Sequence, residues 1–91
     1  MPVRKSSALR EIRLTLAALT LTEVKAPIAA RYCVAQNGTT ADVQIHTSDD
    51  QTEYRALASG YERLLRGNYR HDQTAFWLLS TPGGLVILEW S

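Results

Sequence analysis

A single cysteine leaves Cys33 without an intramolecular partner, so no disulfide framework holds this 91-residue chain together. Its two histidines, His46 and His71, stand far apart and form no zinc-ligand spacing with Cys33. No metal or other cofactor is implied. A lone thiol points to a reducing compartment, and the expected location is the cytoplasm. Long apolar runs are also missing: Pro82-Gly83-Gly84 breaks the longest candidate well short of the roughly 20 residues that a membrane span needs. The basic start MPVRKSSALREIR lacks the uninterrupted apolar core and small-residue cleavage pattern of a signal peptide. Charge of one sign is scarce as well. A formal net charge of +1 supplies no global attraction to nucleic acid or anionic lipid, so electrostatic binding would have to come from local clusters.

What is present reads as one folded domain over residues 1–91. Hydrophobic residues at 45% and charged residues at 21% lie far from the composition of disordered chains. Ser6 or Ser7 can cap a helix, and Leu9, Ile12, Leu16 and Leu19 follow at helical spacing, which predicts a first helix from about Ala8 to Leu19. TLTEVKAP, residues 20–27, reads as a connector because its proline biases the preceding residue away from helix.

Asn37-Gly38, between two alternating runs, predicts a tight hairpin. In that register Ala30, Tyr32, Val34, Val43 and Ile45 face the core, while Arg31, Cys33, Asp42, Gln44 and His46 face water. Overlapping capping boxes in Ser48–Glu53 predict the start of a second helix. Tyr54, Leu57, Ala58, Tyr61, Leu64 and Leu65 supply its buried stripe, and Gly67 ends it. Residues 68–74 lead into a closing hairpin around Pro82-Gly83-Gly84. The expected fold is therefore α+β, in the order α-β-β-α-β-β: an antiparallel sheet of two hairpins with both helices packed on one face.

The closing segment AFWLLSTPGGLVILEWS is apolar on both faces. With a Pro82-Gly83 turn, Trp77, Leu79, Val86, Leu88 and Trp90 share one face; Phe76, Leu78, Leu85, Ile87 and Glu89 share the other. Two helices cover only one face of a sheet. Either the sheet twists so that the N-terminal segment and the 20–27 connector cover Phe76, Leu78, Leu85, Ile87 and Glu89, or, as the preferred expectation, another chain covers them, a second copy first and a different protein next.

No catalytic set emerges. Ser48-Asp49-Asp50 is explained by helix capping, His46 and His71 are isolated, and Pro82-Gly83-Gly84 is too short for a phosphate loop and precedes no helix. The chain is read as a non-enzymatic protein-interaction module, an adaptor, regulator or inhibitor that forms a homodimer. The alternative is a nucleic-acid-contacting regulator using two basic clusters: Arg4, Lys5, Arg10 and Arg13 near the start, and Arg63, Arg66, Tyr69 and Arg70 at the end of the second helix.

Overall fold

A computed structural model describes residues 10–27, 30–47, 54–66 and 73–91. They form eight strands and two sheets: β1 Arg10–Leu16, β2 Thr22–Lys25, β3 Tyr32–Asn37, β4 Val43–His46, β5 Tyr54–Leu57, β6 Glu62–Arg66, β7 Thr74–Ser80 and β8 Gly84–Trp90. Sheet A has the order β1-β8-β3-β6 and sheet B the order β2-β7-β4-β5, and every pairing is antiparallel. No helix occurs among the described residues, which overturns the expected α+β class, and none there is long and apolar enough to cross a membrane.

The two expected helices are strands for a reason visible in their residues. In REIRLTL, Ile12, Leu14 and Leu16 also satisfy a period of two, and β1 turns all three toward the core while Arg13 and Thr15 point out. The second expected helix is divided. Its residues 54–57 and 62–66 are β5 and β6, and Gly60, expected inside the helix, sits in the turn between them with φ 79°. The capping boxes of residues 48–53 lie outside the described residues.

Both expected hairpins are opened as well. β3 and β4 belong to different sheets, as do β7 and β8. The connections 17–21, 38–42, 58–61 and 81–83 each carry the chain from one sheet to the other, so the described residues form four β-arches stacked in the order β1β2, β8β7, β3β4, β6β5. Main-chain bonds tie successive arches together: Leu19 N–H to Ser80 O at 2.9 Å, Gly38 N–H to Leu85 O at 3.0 Å, and Gly60 N–H to Asn37 O at 2.8 Å. Leu19 adopts a φ of 55° to make its turn.

The core lies between the sheets. From sheet A it receives Leu16, Cys33, Ala35, Val86, Leu88 and Trp90; from sheet B come Val24, Val43, Ile45, Leu57, Phe76 and Leu78. The Phe76 and Trp90 rings stack across the gap, 6.0 Å between centroids and 17° between planes. This answers what covers the second face of the closing segment. Its two strands never pair; each turns one apolar face inward, and the sheets cover each other.

The parity of β3 is the reverse of the expected one. Cys33 and Ala35 are buried, whereas Tyr32 is 44% exposed on the outer face. Val43 and Ile45 face inward as expected. A hairpin register would have forced Tyr32 to share a face with Val43, but an arch leaves the two strands independent.

The tight hairpin expected at Asn37-Gly38 would be a type I′ turn, with Gly38 at positive φ. The constraint on Gly38 is instead a close approach: a Cβ there would stand 2.9 Å from Leu85 O, the oxygen that its own N–H bonds. Gly38→Val is therefore expected to cost about 2 kcal/mol, in the range for overpacking a tight site, read as a lower urea midpoint with an unchanged m-value.

Candidate interaction surface

Register places the outer-face residues of sheet A in rows across the strands. One row runs Leu64–Val34–Glu89–Glu11 and the next Glu62–Gln36–Ile87–Arg13, with Leu85 opposite Thr15 beyond them. Tyr32 lies opposite Arg66 on the other side. The apolar members are Tyr32, Val34, Leu64, Leu85 and Ile87; Val34, Leu85 and Ile87 are half-buried, and Leu64 is 47% exposed.

Polar contacts hold the surroundings in place. Glu11 and Glu89 stand directly opposite each other, an unfavourable pairing of like charge. Arg13 Nε donates to Glu11 Oε2 at 3.1 Å and Gln36 Nε2 to Glu89 Oε1 at 3.1 Å, so each carboxylate has a donor.

The expected interface is therefore divided. Leu85, Ile87 and Glu89 do share the outer face of sheet A, but Phe76 and Leu78 are inside, at 3% and 0% exposure, and leave the surface set. Tyr32, Val34 and Leu64 join it instead. The apolar alternation of Tyr32 and Val34 was visible in the sequence; its direction was not.

The basic residues do not assemble. Arg10 and Arg13 sit on β1 and Arg63 and Arg66 on β6, the opposite edges of sheet A, with β8 and β3 between them. At a strand spacing of about 4.8 Å that is roughly 14 Å. Arg13 is engaged by Glu11, and Arg63 stands in register with Ala35 on the inner side. Arg4, Lys5, Tyr69 and Arg70 lie outside the described residues.

The outer face of sheet B carries the row Glu23–Trp77–His46–Tyr54. His46, expected to be a surface residue, is 1% exposed between Trp77 and Tyr54, its ring 5.2 Å from that of Tyr54. Its Nε2 meets Gln44 Oε1 at 2.9 Å, while Nδ1 has no hydrogen-bond partner among the described residues. Trp77 separates it from Glu23, whose carboxylate accepts from the Thr74 hydroxyl. Among the described residues, the nearest carboxylate in its row, Glu23, is two strands away from the His46 imidazole. Among the described residues no group of three His, Cys, Asp or Glu could hold a metal ion.

Cys33 was expected on a wetted face opposite Asp42. It is wholly buried, and loss of water around the thiol raises its pKa from the ordinary 9.0 to about 12. Native protein is therefore expected to resist a thiol reagent at pH 8 and to react fully in urea. Above pH 9.0 the unfolded thiol ionises while the folded one keeps its proton, so the unfolded state binds fewer protons. Stability should fall as pH rises from 9.0 toward 12, and Cys33→Ala should remove that part of the slope in pH-dependent urea titrations.

The chain matches no known family model, no curated protein and no solved structure.

Proposed function

We propose that the protein is a non-enzymatic interaction module, an adaptor or regulator, that docks another protein through the outer face of sheet A in a reducing, cytoplasmic setting. The observation that carries this reading is the apolar strip of Tyr32, Val34, Leu64, Leu85 and Ile87 on a sheet whose other face already fills the core. Apolar side chains left on the outer face of a sheet among polar ones are the kind of surface that another protein covers. Its rim holds Glu11, Arg13, Glu62 and Glu89, charges of both signs that favour a defined partner orientation over general stickiness. The separation of Arg10 and Arg13 from Arg63 and Arg66 supports a protein partner over nucleic acid, which would need one continuous basic track.

The test is quantitative affinity capture from the native host with wild type, Ile87→Lys on sheet A, and Ala56→Lys as an exposed control on the outer face of sheet B. A partner retained by wild type and by Ala56→Lys but reduced at least tenfold by Ile87→Lys supports the reading, since about 1.4 kcal/mol of lost contact is already tenfold. Equal capture by all three overturns it.

A further inference from the structure

Among the described residues β6 is an open edge of sheet A, and its main-chain groups can be assigned. Tyr32 exchanges both main-chain hydrogen bonds with Ser91, each 2.9 Å, so on β3 the groups of Tyr32, Val34 and Gln36 turn toward β8. Those of Cys33, Ala35 and Asn37 turn toward β6, where Asn37 N–H bonds Tyr61 O at 2.9 Å. On β6, residues 63 and 65 are thereby used inward, as is the C=O of Tyr61 just before it. Glu62, Leu64 and Arg66 carry their N–H and C=O groups on the open side, and Glu62 and Leu64 belong to the outer face.

The order of those residues makes the edge complementary to itself. Laid antiparallel against a second copy with Leu64 at the centre, Leu64 meets Leu64 of the partner subunit, and Glu62 meets Arg66 of the partner subunit on both sides. Every one of these positions has outward main-chain groups to exchange. A one-residue slip would set outward groups against inward ones, and a two-residue slip would set Glu62 against leucine.

The other edges are less suited to pairing. β2 is four residues long with a register break between Val24 and Lys25, β5 is also four residues, and β1 carries Arg10, Glu11 and Arg13, the charged guarding typical of protected edges. β6 has no bulge, and its central leucine is 47% exposed.

We propose that two copies of the chain pair β6 against β6, joining two sheets A into one continuous eight-stranded sheet about a two-fold axis. This deepens the interaction reading and rests on it, naming a second copy of the chain as the partner. The apolar strips of the two copies then meet at Leu64, so the docking face is doubled. Such an isologous contact closes on itself as a dimer and does not propagate into fibres.

Sedimentation equilibrium on the intact chain, from about 1 to 100 μM, spans the affinities expected of a small contact. Wild type should dimerise. Glu62→Arg and Arg66→Glu, each placing like charges opposite each other twice, should each weaken the dimer at least tenfold. The double variant Glu62→Arg with Arg66→Glu should restore it to within about threefold, a rescue that general destabilisation cannot produce. A wild type that is monomeric throughout overturns the β6 pairing, while host capture still decides the docking of a foreign protein on the sheet face. A dimer untouched by either charge swap but dispersed by Ile87→Lys also overturns it, placing the contact on the face instead.

Discussion

Replacing Leu78 by lysine is expected to unfold the protein, not to split an assembly. Leu78 is 0% exposed, lies in register with Ile45 on one side and Thr22 on the other, and points between the sheets. Among the described residues no carboxylate is buried in the core to pair with a lysine there, and the effective penalty for burying an ion is several kcal/mol. Small domains have total stabilities of about 5–10 kcal/mol, so the substitution consumes most or all of it. Near-UV circular dichroism should be lost in buffer without denaturant. Leu78→Ala should remain folded with a deficit of about 2–5 kcal/mol from the cavity it leaves. Had Leu78 been an intermolecular contact, as the paired-hairpin reading requires, the lysine variant would be a folded monomer. A cooperative urea transition for Leu78→Lys with wild-type m-value would count against the sandwich core.

The second large effect is expected at Asn37, which lies 2% exposed where three arches meet. Its Nδ2 donates to Leu57 O at 2.7 Å and Ala41 O at 2.8 Å, and its Oδ1 accepts from Thr39 N–H at 2.8 Å. The Thr39 hydroxyl lies 2.7 Å from both Asn37 Oδ1 and Ala41 O, and the Ser59 hydroxyl donates to Thr39 O at 2.5 Å. Asn37→Asp keeps the shape but removes both donors and aims a carboxylate at two carbonyl oxygens. The expected loss at pH 7 is about 3 kcal/mol or more, since two buried acceptors lose their donor and the replacement is charged. Repulsion and burial should raise the new carboxyl's pKa above the ordinary value near 3.9, so the folded state takes up a proton before the unfolded state does. Stability of the variant relative to wild type should therefore recover as pH is lowered from 7 toward 4.5, where one donor returns. Urea titrations at the two pH values check this; a deficit that is the same at both would show that the network does not depend on the Asn37 donors. With both amide protons engaged, Asn37-Gly38-Thr39 is a structural staple despite its match to a glycosylation acceptor pattern.

The outer and inner sides of β8 show how far local pattern reaches. Val86, Leu88 and Trp90 were expected to face the core together and do. Phe76 and Leu78 were assigned to the opposite side from them because a paired hairpin was assumed, and that single topological step moved two core residues into an interface. Likewise the Asn37-Gly38 break was placed correctly as the end of one strand, but the chain there crosses between sheets. Main-chain hydrogen bonding is indifferent to side-chain identity, so nothing in the residues distinguishes a turn that pairs its two strands from one that hands the chain to a facing sheet.

By itself the sequence determined a folded chain whose single cysteine allows no intramolecular disulfide, strands over most of residues 32–46 and 74–90, and the inward side of Val43, Ile45, Val86, Leu88 and Trp90. Only the tertiary structure decided that residues 10–16, 54–57 and 62–66 are strands, because their apolar residues fit periods of two and of three to four alike. It alone decided the parity of β3, since Tyr32 and Val34 on one side and Cys33 and Ala35 on the other are both apolar enough to be buried. Both choices follow from long-range pairing. β3 and β4 would leave main-chain groups unmet beside the core unless β6 and β5 lay against them, and that demand outweighs the local helical preference of the residues that meet it.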